Sequence, residues 1–272
     1  MKKKPKLLIA TNLYQIDPVV YSSHLDMFYK LGKMHEKYEI MFYAPWRVPI
    51  DKARNDAVAL SVAANCDYLF FYDDDMWFED GNTPITLLEQ MIENPDIHML
   101  QGLAFIRGYP YKPMIFKFLD KGDRSKRLLT FDEYEDHIRE DGLVEVDAVG
   151  CCATMINTEI FKMMPKPWFV TGEQHTEDIY FCVKAKNYVE EFKIFCDTKT
   201  KIGHLLDRAV LIDGNRKMLR EMHELHNVNQ LFLSEPSFVQ NMSQTPHMMW
   251  ERRDCLNPLE LELPIREAKN AS

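Results

Sequence analysis

An open α/β sheet, mostly parallel and flanked by helices, is the fold class that three features of the sequence predict. Three short continuous apolar runs, KLLIAT (Lys6 to Thr11), EIMFYA (Glu39 to Ala44) and YLFFY (Tyr68 to Tyr72), have the length and composition of buried parallel strands. Segments of helical spacing lie between them. The third run ends in Asp73, Asp74 and Asp75, at the carboxyl edge where sheets of this kind bind ligands.

The helical segments are roughly Val20 to Leu31 and Ile50 to Asn65, the latter with Ala53, Ala57, Leu60 and Ala64 on one small-residue face. Thr83 as N-cap and Pro84 at the first helical position predict a helix to about Glu93. Strands are expected at Met99 to Phe105, Met114 to Phe118 and Leu143 to Thr154. Gly150 interrupts the last of these, as a glycine does where a ligand or another backbone comes close. Thr130 and Glu133 have capping-box spacing, which predicts a helix to about Arg139. Thr176 is expected to cap a helix to about Lys186, followed by a strand at Phe192 to Cys196 and an amphipathic helix at Asn215 to Leu233. Residues 1–206 are thus expected to form the α/β domain. Residues 207–272 form a helical extension, with a tail on the surface from about Pro236.

Composition excludes several classes. With 46% hydrophobic and 28% charged residues among 272, the chain is expected to fold around an ordinary core. The basic opening MKKKPKLLIA carries too short an apolar run for a secretory leader, and no stretch is long enough to span a bilayer, so a cytoplasmic location is expected. The six cysteines form no CxxC pair, which fits a reducing compartment. A formal charge of -9 disfavours sequence-independent adhesion to nucleic acid, although KGDRSKR (Lys121 to Arg127) is one cationic stretch.

The aspartate triplet carries the chemistry. Unit charges about 4 Å apart repel by roughly 1 to 4 kcal/mol between water and a protein surface, a cost that a bound cation removes. In extended geometry Asp73 and Asp75 share a face and Asp74 points away. Oxygen ligands at a strand end suit Mg(II) or Mn(II), which complete their shell with phosphate oxygens. Aspartates that merely cap the following turn are the plain alternative. Glu177 and Asp178 fall in the first turn after Thr176, where the helix dipole favours carboxylates whatever their role. Trp77 and Trp168 stand beside these segments, and core packing is the commoner use of tryptophan.

The segment DKARNDAVALSVAANCDYLFFYDDDMWF resembles the nucleotide-sugar-binding half of GT-A glycosyltransferases, with an Arg-Asn helix, a hydrophobic strand and a DxD motif. VDAVGCCATMINTEIF, HTEDIYFCVKAK and TKIGH resemble the acceptor-side strand, the Glu-Asp helix and the late histidine of the same superfamily, in the same order over about residues 6–206. The resemblance implies a GT-A (Rossmann-like) fold and transfer of a sugar from a nucleotide-sugar donor, a UDP-sugar by preference. It implies that Thr11 and Asn12 line the nucleobase and ribose, that Arg54, Asn55, Asp73 and Asp74 help hold the nucleotide, and that Asp73, Asp75 and His204 hold Mn(II) or Mg(II). Asp178 is implied as the base that deprotonates the acceptor hydroxyl.

Other activities fit less well. A nucleotidylyltransferase needs a glycine-rich loop after its first strand, and ATNLYQIDP contains no glycine; an aspartyl phosphohydrolase carries its motif after the first strand and not the third. A non-catalytic nucleotide-sugar-binding protein would dispense with the base or a metal ligand, whereas Asp75, Asp178 and His204 are all present. The short acidic chain with RGYPYKPMIF is similar in style to glycosyltransferases of tailed bacteriophages, some of which act on hydroxymethylcytosine in DNA. DNA is therefore one candidate acceptor, beside a glycan, a small molecule or a protein.

Overall fold

The computed structural model describes residues 3–118, 128–173, 175–206 and 210–233. The cationic segment Lys121 to Arg127 and the expected tail from Pro236 lie outside the described residues. The chain opens with β1 (Lys6–Ala10), α1 (Pro18–Lys33), β2 (Glu39–Tyr43), α2 (Ile50–Ala63) and β3 (Tyr68–Tyr72), the alternation that the apolar runs predict. Then come β4 (Met76–Phe78), α3 (Thr83–Glu93), β5 (Met99–Leu103), β6 (Ile115–Phe118), β7 (Leu128–Thr130), β8 (Leu143–Val146), β9 (Ala148–Val149) and β10 (Ala153–Asn157). The last elements are α4 (Glu177–Tyr188), β11 (Ile194–Leu205), β12 (Val210–Leu211) and α5 (Asp213–Leu233).

The main sheet runs β2-β1-β3-β10-β5-β11-β12, and β4 and β8 also pair with β11. β1 is parallel to β2 and β3, β10 is antiparallel to both β3 and β5, and β5 is parallel to β11. Five strands therefore share one direction with β10 reversed among them, and the fold is α/β with a mostly parallel central sheet. Strand pleating sends Leu7, Ile9, Phe70 and Tyr72 toward Met27 and Leu31 of α1 and Leu87 and Leu88 of α3. Leu8, Ala10, Leu69 and Phe71 face the opposite layer, with Ala57 and Val58 of α2 and Phe181 of α4. Small residues on α2 let that helix sit close over the sheet, which brings its first turn to the carboxyl ends of β1 and β3.

Several local expectations are corrected. Asn82, not Thr83, occupies the N-cap of α3, and the Thr83 hydroxyl donates to the Asp80 carbonyl at 2.7 Å. Asp17 caps α1, accepting from Val19 N, with Pro18 at its start. The helix expected from Thr130 to Arg139 is a single 3-10 turn, Tyr134–His137, because residues 128–130 are drawn into strand pairing with β6 and Thr130 lies opposite Phe116. The run from Leu143 to Thr154 divides between two sheets: β8 and β10 join the main one, while β9 joins β6 and β7. The strand expected at Phe192 to Cys196 continues to Leu205, past a register shift between Asp197 and Lys201.

Cys66, Cys151, Cys152, Cys182 and Cys196 are buried free thiols. Among the described residues no helix is long and apolar enough to cross a membrane.

Candidate functional site

β1, β3 and β5 end on the same edge of the sheet, and the polar residues just beyond them meet there. The aspartates do not continue β3 as extended chain. Asp73 to Asp75 form a tight turn into β4, closed by Met76 N donating to the Asp73 carbonyl at 3.1 Å. The turn sends the three carboxylates in three directions.

Asp73 faces α2. Arg54 Nη2 donates to Asp73 Oδ1 at 3.1 Å, and Arg54 Nε stands 3.1 Å from Glu177 Oε1 on α4. Arg54 is 4% exposed, and its Nη1 has no hydrogen-bond partner among the described residues. Burial pushes the Asp73 carboxyl up to about 7; Arg54 opposes the rise, and Asp75, Glu177 and Asp178 add to it. The side chain keeps 34% of its surface open to the cleft, so water moderates that push. Burial likewise raises Glu177, again against Arg54. A buried guanidinium with a spare donor, between two reluctant carboxylates, suits an incoming anionic or carbonyl-rich ligand.

Asp75 faces β11. The antiparallel register of β4 and β11 sets His204 opposite Met76, and Leu205 N donates to the Asp75 carbonyl at 3.0 Å. His204 Nε2 consequently lies 3.3 Å from Asp75 Oδ2. The other ring nitrogen, Nδ1, donates to the Phe105 carbonyl at 2.7 Å. Arg107 Nη1 reaches the same Asp75 Oδ2 at 3.1 Å. Burial acts to raise the Asp75 carboxyl, but the His204 hydrogen bond and the nearby charges of His204 and Arg107 outweigh it and hold it below the ordinary carboxylate value.

Asp74 turns to the loop after β1, where its Oδ2 accepts from Tyr14 N at 2.6 Å and Gln15 N at 2.9 Å. Through Oδ2 it anchors that loop. Asn55 departs from expectation. Its Nδ2 donates to the carbonyls of Asp51 and Phe169, and its Oδ1 accepts from Trp168 N and Phe169 N. With both ends of the amide engaged, Asn55 fastens α2 to the segment before α4 and has nothing left for a nucleotide. Trp168 is core, its indole N–H donating to Phe161 O at 2.9 Å.

Thr11, Asn12, Arg54 and Asp73 do line one cleft, together with Tyr43 and Phe71. Asn12 Nδ2 donates to Val48 O at 2.8 Å, and its buried Oδ1 has no partner among the described residues. Two of the residues that line the cleft, Asn12 and Arg54, thus each keep a buried polar atom that is unpaired among the described residues.

Asp178 sits across from this cleft at the start of α4. Its Oδ1 accepts from Ile179 N at 2.7 Å and from the Thr176 hydroxyl. Thr176 thus orients the carboxylate and makes no capping bond of its own. Oδ2 faces Gly150, where an added Cβ would lie 3.4 Å from it and 2.8 Å from the Met114 methyl. The glycine keeps space open in front of the one carboxylate oxygen that is not tied down.

Among the described residues no group of three or more His, Cys, Asp or Glu side chains stands ready around one metal position. Asp75 and His204 come together, while Asp73 is turned to Arg54. Arg107 and the Arg54–Glu177 ion pair were not anticipated. Arg107 had a usable signal, since it lies just past the end of β5, on the same edge as the aspartates.

No known protein family matches the sequence, and no curated protein matches it significantly. Among solved structures, A197 from STIV is similar with a TM-score of 0.50 and 17% identity, over 75% of this chain and 86% of that one. A glycosyltransferase involved in the glycosylation of the major capsid of PBCV-1 aligns at TM-score 0.39 and 9% identity, over 80% of this chain and 100% of that one. S. aureus TarS aligns at 0.38 and 12%, over 71% of this chain and 60% of that one. At these identities the likeness to A197 from STIV is one of fold, and the two weaker alignments carry no argument.

Proposed function

We propose that the protein is a metal-dependent glycosyltransferase of GT-A type that moves a sugar from a nucleotide sugar, UDP-linked by preference, to an acceptor hydroxyl. The carrying observation is the Asp75–His204 pair at the strand edge, in a neighbourhood that also holds the Arg54–Asp73 pair and a half-tethered Asp178. The residues fit a divalent ion. The Phe105 carbonyl holds the Nδ1–H and so fixes the ring, and loss of the Nε2 proton that now faces Asp75 would leave a lone pair beside Asp75 Oδ2, the arrangement of ligating histidines. Asp75 and His204 would hold Mn(II) or Mg(II), with phosphate oxygens and water as the remaining ligands. When bound, such an ion neutralises the departing diphosphate.

The chain's own residues supply the rest. Thr11, Asn12 and Arg54 bind the nucleoside end, and Asp73, fixed by Arg54, faces the ribose. Asp178 Oδ2 takes the proton of the acceptor hydroxyl as that oxygen bonds to the anomeric carbon and the bond from that carbon to the diphosphate oxygen breaks. The route inverts the configuration at that carbon.

Transfer or hydrolysis of a nucleotide sugar should stop in EDTA and return with Mn(II), and Asp75→Ala should lose at least about 10²-fold in kcat/KM. Full turnover in the chelator would reject the metal role. The acceptor is found by offering hydroxymethylcytosine DNA, glycans and small polyols separately and weighing the products. A modified saccharide with untouched DNA would reject DNA as acceptor. Tight nucleotide-sugar binding with no product from any acceptor and no hydrolysis would make the chain a binding protein.

A further inference from the structure

Two nitrogen donors crowd one oxygen, because Asp75 Oδ2 is approached by both His204 Nε2 and Arg107 Nη1 while remaining the natural ligand for a cation. His204 cannot withdraw: it is 7% exposed and its ring is fixed by the Phe105 carbonyl. Arg107 can. Its side chain is 53% exposed, and a half-solvated ion pair is weakly held. The backbone around it is hydrogen-bonded on both sides, so the withdrawal asked of Arg107 is that of its side chain. Phe105 bridges Pro113, Ile106 N donates to Lys112 O, and Tyr111 N donates to Gly108 O. Tyr109 packs on α5, with its ring 4.5 Å from that of His223 and its hydroxyl donating to Glu224.

We propose that Arg107 is an internal counter-cation for Asp75 that competes with the divalent metal and moves to the donor's phosphates when the metal takes its place. The inference rests on the metal site assigned above. A guanidinium released from a carboxylate is well matched to a diphosphate, which accepts its paired N–H groups in the same planar geometry. Asp75 then keeps a cationic partner in both conditions: Arg107 beside it before donor binding, and afterwards the metal, with Arg107 on phosphate. Arg107 is a donor-binding residue in this account.

The test measures two affinities that should move in opposite directions. Free Mn(II) is followed by EPR during titration of the full chain without nucleotide, for wild type, Arg107→Ala and Arg107→Lys. UDP binding is measured by calorimetry at saturating Mn(II). Arg107→Ala should bind Mn(II) about threefold to tenfold more tightly, because its competitor is gone, and bind UDP more weakly by at least a similar factor. Arg107→Lys, which retains the charge, should stay nearer wild type in both. A merely structural role would weaken both affinities together and would overturn the proposal, as would unchanged Mn(II) affinity in Arg107→Ala. If wild type and both variants bind UDP but none binds Mn(II), the metal site itself is rejected and the competition with it.

Discussion

At the scale of single residues, the chemistry turns on which oxygen of each carboxylate is already committed. Asp178 has Oδ1 held by Ile179 N and the Thr176 hydroxyl, and Oδ2 directed at the space before Gly150. Asp178→Asn keeps the size of the side chain and most of its hydrogen bonds but takes no proton. Transfer should fall by about 10²-fold or more, with donor affinity nearly unchanged, in steady-state kinetics paired with calorimetry. A parallel loss of donor affinity would make Asp178 a binding residue. Asp74 shows the opposite situation: adjacent in sequence to two site carboxylates, it spends Oδ2 on the loop after β1. The triplet was legible as a cluster, but the division of labour within it was not, because a turn replaces the alternation that an extended strand would impose.

At the scale of elements, α2 is the part that both shapes and secures the cleft. Arg54 looks into it and Asn55, one residue on, looks away and ties α2 to Trp168 and Phe169. Asn55→Ala would strand two backbone N–H groups and a carbonyl in a part-buried position, where each lost partner costs on the order of 1 kcal/mol or more. We expect a loss of roughly 2 to 4 kcal/mol, seen as a drop of about 4 to 15 °C in the thermal midpoint. An unchanged midpoint with weakened nucleotide binding would return Asn55 to the site. The Arg-Asn pair was visible in the sequence as polar residues on a small-residue helix. Which of the two faced the cleft depended on the segment 113 residues later that packs against the helix. β4 teaches the same lesson, since three residues carry little pattern, yet their register with β11 is what sets His204 beside Asp75.

At the scale of the whole molecule, several acidic groups converge on one edge of the sheet, and the part of the stability that comes from Asp73 is expected to respond to pH in the opposite way to the proposed metal binding. Asp73 is raised to about 7 by burial, with Arg54 opposing, against about 4 in an unfolded chain. Between those values the folded chain holds a proton that the unfolded chain has released. The stability from this group is therefore fully present below about 4 and is lost as pH rises through 7. In EDTA, the thermal midpoint of Asp73→Asn relative to wild type should climb as pH rises from 5.5 to 7.5; a constant difference would contradict the raised value. Mn(II), drawn by an ionised Asp73 beside Asp75, should bind more tightly over the same range.

The sequence alone determined the α/β class, the alternation through β3, the strand edge at which polar residues gather, and the residue types from which a cation site and a base could be built. These follow from patterns of period 2 and 3.6 and from runs a few residues long, which local stereochemistry reads directly. The tertiary structure alone decided that Arg107 joins His204 at Asp75, that Arg54 meets both Asp73 and Glu177, that Asn55 ties α2 to the segment before α4 and that Asp74 anchors the loop after β1. Those pairs join residues from 19 to 129 positions apart. Their contacts come from strand register and from how closely α2 and α4 pack on the sheet, quantities that belong to the folded chain as a whole and to no window of its sequence.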